Sequence, residues 1–183
     1  AAPGPAEVAD LATVATAGGQ VAAAAAMRRF AVDHPDALHR SCAEGHFTGS
    51  ALVLDATGDR VALLFHRKLQ RWLQPGGHAD GDGNLAAVAR REAYEETGLE
   101  GLRVDPVPAD LDIHRVAPPG EPPHLHLDAR FLVVAPPGAV LRGNHESEAL
   151  RWFADDELAD AGLDAGTYRL LRAARARFRR AEL

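Results

Sequence analysis

The chain has a single cysteine, Cys42, so no internal disulfide can form, and nothing points to an oxidising compartment. A cytoplasmic location is the expectation. Long apolar runs are missing too. The longest near the start, residues 21–27, is mostly alanine, too short to cross a bilayer, and is followed at once by Arg28 and Arg29. The order of charge, apolar run and cleavage site that marks a secretory signal is absent, and no membrane association is expected. The first residue is Ala1 rather than methionine, which reads as a processed or trimmed start. Basic charge is also in short supply: 20 Lys and Arg against 26 Asp and Glu leave a formal net charge of -6. That argues against a nucleic-acid surface driven by bulk charge. An acidic protein that handles phosphates must neutralise them locally, with bound cations or a confined basic patch.

What the chain does have is the make-up of one globular domain: 183 residues, 46% hydrophobic and 25% charged. Residues 1–18 are rich in Ala, Gly and Pro without a period and read as a loose lead-in, leaving residues 19–183 as a single domain with helices at both ends. Residues 20–32 are strongly helix-forming, and His34-Pro35 ends that helix. Residues 50–56 and 60–65 read as two strands around the turn Thr57-Gly58-Asp59. Their near-continuous hydrophobicity suggests a sheet covered on both faces. A glycine-rich segment, residues 76–83, leads into a helix over 84–97 closed by Gly98.

Residues 104–116 and 124–135 read as further strands, separated by the proline-rich turn 118–123, and residues 150–153 as a short one. Asp155-Asp156-Glu157 opens a brief helical turn. Residues 167–181 form a terminal helix with Leu170, Leu171, Ala174 and Phe178 inward and arginines outward. Strands mixed with helices imply an α/β fold with a sheet between helical layers.

The chemistry concentrates in residues 76–99. At about 100° per residue, Glu92, Glu95 and Glu96 share one side of the helix, and Arg91 sits one turn before Glu95 and can pair with it. Like charges at these spacings repel, and a divalent cation reverses the sign. Hard oxygen ligands suit Mg2+. The bland alternative is a solvated acidic face; against it, the glycine-rich entry and Gly98 put the carboxylates beside exposed backbone groups.

This stretch resembles the signature of the Nudix hydrolase family: Gly, five residues, Glu, seven residues, Arg-Glu-apolar-any-Glu-Glu-any-Gly-apolar. Gly77, Arg91, Glu92, Glu95, Glu96, Gly98 and Leu99 match at the required spacing, Ala93 is a weak match at the first apolar position, and Gly83 replaces the first glutamate. The segments Gly45-His46-Phe47-Thr48-Gly49-Ser50, His66-Arg67-Lys68-Leu69 and Trp72-Leu73-Gln74-Pro75 extend the likeness over about residues 30–158. The resemblance implies an α/β/α sandwich with a mixed β-sheet, and a metal site for Mg2+ (or Mn2+) made by Glu92, Glu95, Glu96 and the Gly77 carbonyl. Arg91 would orient the glutamates through an ion pair. It also implies hydrolysis of a diphosphate bond in a nucleoside diphosphate linked to another group, by water attack at phosphorus. Glu92 or Glu146, with Glu148 beside it, would be the general base. Asp80 or Asp82 could stand in for the missing carboxylate. A homodimer would be unsurprising.

Other residues carry weaker signals. His124, His126 and Asp128 alternate along a strand and would share one face, as a substrate pocket, an extra metal site or a hydrated edge. Magnesium is a poor partner for histidine, so direct ligation there would need a transition metal. His66, Arg67, Lys68 and Arg71 suit phosphate contact or a solvated loop, and His78 adjoins the metal loop. Trp72 is either a base-stacking ring or core. Two other functions compete. One is a Nudix domain that binds nucleotides without turnover, suggested by Gly83. The other is a diphosphate isomerase relying on Cys42, whose sequence context is wrong for it.

Overall fold

The computed structural model describes residues 20–143 and 147–180. In chain order the elements are α1 (Val21–Asp33), β1 (Gly45–Leu54), β2 (Val61–His66), β3 (Arg71–Leu73), β4 (Gly76–His78), α2 (Leu85–Thr97), β5 (Arg103–Val104), β6 (Asp110–Val116), β7 (His124–Val134), β8 (Ser147–Phe153), α3 (Asp155–Leu158) and α4 (Ala165–Arg180).

The spine of the eight-stranded sheet is β1 lying parallel to β7, in register from Gly45↔Leu125 to Leu54↔Val134. Every other pairing among the described residues is antiparallel. β7 carries β6 and β5 on its far edge, while β1 carries β4 along residues 48–50 and β2 at Val53 and Leu54. β2 pairs in turn with β3 and β8.

The sheet is mixed, as expected, and covered on both faces. Because side chains alternate along a strand, Phe47, Ala51, Val53, Leu127, Phe131 and Val133 point to one side. There they bury against Ala24 and Met27 of α1 and Leu85, Val88, Ala89 and Ala93 of α2. Leu52, Leu54, Leu132 and Val134 point to the other and meet Leu170, Leu171 and Ala174 of α4. Nearer the start of β1 and β7 that second face turns polar, with His46, Thr48, Ser50, His124, Asp128 and Arg130 all buried. Alternation on a continuous strand thus places a polar tract beside an apolar core.

The α2 helix is fixed at both ends. The Asn84 side chain accepts from the Ala87 amide, and Gly98 closes the helix at φ 66 with its N–H donating to the Tyr94 carbonyl. The body of α2 lies directly on β1, since a Cβ on Gly49 would sit 2.8 Å from the Leu85 carbonyl oxygen and 3.1 Å from Val88 Cγ1. Asn84 is exposed, so Asn84→Ala removes little beyond the cap, and the unfolding free energy is expected to fall by about 1 kcal/mol. A denaturant midpoint unchanged from wild type would contradict this.

Three expectations need correction. Residues 104–116 do not form one strand: Asp105 to Ala109 break it, where Pro106 and Pro108 have no N–H to give a ladder. The first strand begins earlier than expected, at Gly45, because its polar residues alternate as well as its apolar ones. The α4 arginines are not simply outward, because Arg169 bonds Asp110 and Asp112, Arg177 bonds Asp105 and Arg175 bonds Asp155.

Candidate functional site

Strand β4 brings the glycine loop against α2. A Cβ added to Gly77 would lie 2.4 Å from Glu92 Cδ and 2.6 Å from both its carboxylate oxygens, so only glycine lets this carboxylate reach the strand. The Gly76 amide donates to Glu96 Oε2 at 3.0 Å. Arg91 Nη2 donates to Glu92 Oε1 at 3.2 Å and to the His78 carbonyl at 3.3 Å, so its ion pair goes to its neighbour Glu92 rather than to Glu95 one turn on. Burial raises the Glu92 pKa; Arg91 opposes this, and the Glu95 and Asp80 charges add to it. The donor set is carboxylate and carbonyl oxygen, and a half-buried carboxylate is pushed toward protonation unless a positive charge joins it. Both features suit a hard divalent cation at Glu92 and Glu96, beside the backbone of Gly77 and Gly76.

The two substitutes considered for the glutamate that Gly83 replaces are already engaged. Asp80 receives Arg40 Nε and Nη2, both at 2.8 Å, and Asp82 Oδ1 accepts from the Asn84 amide at 2.9 Å. Arg40 also lowers the Asp80 pKa, its hydrogen bond being the main cause. These two aspartates shape the loop and the entry to α2.

On the opposite face of the sheet lies a histidine cluster. His78 pairs across β4 and β1 with Thr48, and His126 pairs across β7 and β1 with His46. Ring centroids are 5.0 Å apart for His46 and His78, 5.0 Å for His46 and His126, and 5.2 Å for His78 and His126. His124 lies 4.8 Å from His46 and anchors its Nδ1 on the Pro122 carbonyl at 2.9 Å, while His114 approaches His126 at 5.5 Å and holds Asp112. Burial is the leading cause that lowers the pKa of His78 to about 4 and of His126 to about 3, and it lowers His46 as well. In all three rings the shift favours the neutral imidazole.

Asp128 shares that face but is taken up by neighbours. Its carboxylate accepts from Thr48 Oγ1 at 2.9 Å, from Ser50 Oγ at 2.8 Å and from Arg130 Nε at 2.9 Å. The expected grouping of His124, His126 and Asp128 on one face therefore holds, with Asp128 a link in a buried ion network rather than an open pocket wall. His46 and Arg40 were not anticipated as site residues. His46 had a signal, the alternation His46, Thr48, Ser50 along β1; Arg40 had none, since it meets Asp80 from a distant turn.

The basic segment spans the β2–β3 turn. His66 Nδ1 accepts from the Leu69 amide at 3.2 Å, Arg67 is exposed, and Arg71 reaches Asp164 at 3.4 Å. Trp72 packs edge-on against Phe153 at 4.8 Å and Phe65 at 5.5 Å, which favours core over base stacking. Glu146 lies outside the described residues. No described helix is long and apolar enough to cross a membrane.

A Mycobacterium tuberculosis protein, provisionally named 8-oxo-dGTP diphosphatase 3, is 33% identical over 132 residues, covering 67% of this chain and 58% of the relative. The chain thus spans little more than half the length of that relative. Among solved structures, an Ap4A hydrolase from C. elegans in a binary complex superposes with a TM-score of 0.59 at 18% identity, covering 74% of this chain and 98% of that one. A NUDIX-family hydrolase from Clostridium perfringens gives 0.56 at 23% identity, covering 74% and 98%. At those identities the likeness speaks for the fold. The NUDIX domain model matches residues 46–174, which take in the glycine loop, α2 and the whole sheet core, and the chain belongs to the NUDIX family.

Proposed function

We propose that the protein hydrolyses the diphosphate bond of a nucleoside diphosphate joined to another group, with Mg2+ or Mn2+ held by Glu92, Glu95, Glu96 and the Gly77 carbonyl. The carrying observation is the seating of Glu92 and Glu96 against the backbone of Gly77 and Gly76, which gathers acidic oxygen at the foot of α2. When bound, the cation neutralises diphosphate charge and lowers the pKa of the attacking water. Glu92, whose pKa is raised by burial, is the candidate base among the described residues, with Glu146 the alternative. Arg91 orients Glu92, so Arg91→Ala should weaken activity most at limiting Mg2+ and leave the unfolding midpoint nearly unchanged.

The test is a substrate panel of nucleoside triphosphates including 8-oxo-dGTP, ADP-ribose and dinucleoside polyphosphates, with Mg2+ and with Mn2+, following phosphate and pyrophosphate release. No turnover of any member with either cation would sink the reading. A second reading, nucleotide binding without turnover, draws on Gly83 and on the prior engagement of Asp80 and Asp82. Saturable binding of a nucleotide that is never cleaved would select it. A finer probe is Gly77→Ala. The added methyl meets the far end of a flexible side chain, so Glu92 should swing aside and the fold survive, with activity down on the order of 10²-fold.

A further inference from the structure

We infer that His46, His78 and His126 form a binding site for one divalent transition-metal ion of the zinc class, on the sheet face opposite the carboxylate helix. Their candidate ligand nitrogens all lie within 4.8 Å of one another. A tetrahedral ion at about 2.0–2.1 Å from each nitrogen needs separations of about 3.3 Å, which side-chain rotation can supply. The three rings come from three adjacent strands, β4, β1 and β7, so the sheet itself sets their spacing.

Unsatisfied nitrogens carry the argument. His46 is 3% exposed, yet neither its Nδ1 nor its Nε2 makes a well-formed hydrogen bond, the Cys42 backbone offering only a poorly aligned one, and His126 Nε2 is likewise buried and unpartnered. Buried polar atoms left in this state are rare in native proteins. A cation that accepts imidazole lone pairs resolves them together. The donor type decides which cation. Neutral nitrogen ligands without a carboxylate among them disfavour magnesium and calcium and favour zinc, cobalt or nickel.

Neighbouring contacts brace the cluster. His114, held by Asp112 at 2.9 Å, packs on His126, and His124, fixed on Pro122, packs on His46. Ligating histidines are usually restrained by such surrounding contacts. Three ligands leave a fourth position for an exchangeable group. The site is separate from the carboxylates even though His78 follows Gly77 directly. Gly77 faces Glu92, whereas His78, opposite Thr48, faces the other way.

The test uses the chelator-stripped full chain carrying E92Q, E95Q and E96Q, titrated with Co2+ in excess Mg2+ while visible absorption is recorded. One Co2+ per chain is expected, with the intense visible band of low-coordinate cobalt, displaced by one equivalent of Zn2+. His78→Ala and His126→Gln in that background should each weaken Co2+ binding by about 100-fold or more, with circular dichroism confirming the fold. His46→Ala is the riskier variant because the ring is buried, so the other two decide. Absence of saturable Co2+ binding, or equal binding by the histidine variants, would overturn the assignment. Loss of hydrolysis in the triple-glutamine chain bears on the diphosphatase reading alone.

Discussion

Glu96→Gln is expected to lower kcat/KM at saturating Mg2+ by about 10³-fold, some 4 kcal/mol of transition-state stabilisation, while leaving the thermal midpoint close to wild type. Glutamine keeps the shape of the side chain, and its amide oxygen can still accept from the Gly76 amide that now donates to Glu96 Oε2 at 3.0 Å. What disappears is the negative charge. Because the hydrogen bond that seats the side chain survives, a loss of activity would report on the carboxylate as a ligand rather than on the position of α2. Glu92→Gln should behave similarly but with a larger shift in apparent metal affinity, since Glu92 also carries the ion pair with Arg91. Measuring kcat/KM across a Mg2+ series separates the two effects. Retention of activity within tenfold of wild type by Glu96→Gln would remove that residue from the proposed site.

The acidic helix was legible because its signals are local. Asn84 and Gly98 mark its ends, and the spacing of Glu92, Glu95 and Glu96 follows from helix period alone. The same holds for the strands of the core, whose apolar runs are continuous where both faces are covered. The break between β5 and β6 was also written in the chain, in Pro106 and Pro108, but the apolar pattern on either side masked it. What the sequence could not show are partners brought together by topology. His46 meets His126, 80 residues on, only because β1 and β7 lie parallel and in register. Arg40 finds Asp80, and Arg169 finds Asp110, across similarly long intervals. Charge runs read from one chain look like solvated surface until the sheet shows which of them it buries.

That burial sets the largest stability effect expected, at Arg130. Arg130 is 5% exposed, and its guanidinium donates from Nε to Asp128 at 2.9 Å and from Nη2 to Asp112 at 3.2 Å, and lies 3.5 Å from Asp110. Burial alone would lower the Arg130 pKa, but the charges of Asp128 and Asp112 outweigh it and hold the group protonated. Arg130→Met should therefore cost about 3–5 kcal/mol, because it strands buried carboxylates without their cation. For a chain of this size that is a fall of about 6–20 °C in Tm. Adding Asp128→Asn should recover part of the loss, since it removes one of the stranded charges; additive losses in the double variant would contradict the network. The same geometry gives an acid dependence. The hydrogen bond with His114 is the first cause that depresses the Asp112 pKa, with Arg130 and Arg169 adding to it, so its folded-state value lies well below that of the unfolded chain. Its contribution is complete above the unfolded value of about 4 and drains away as pH falls through that value toward the folded one. Wild-type stability should thus decline more steeply below about pH 4 than that of Asp112→Asn, which has no such proton to take up; parallel acid-unfolding curves for the two would place the depressed carboxylate elsewhere.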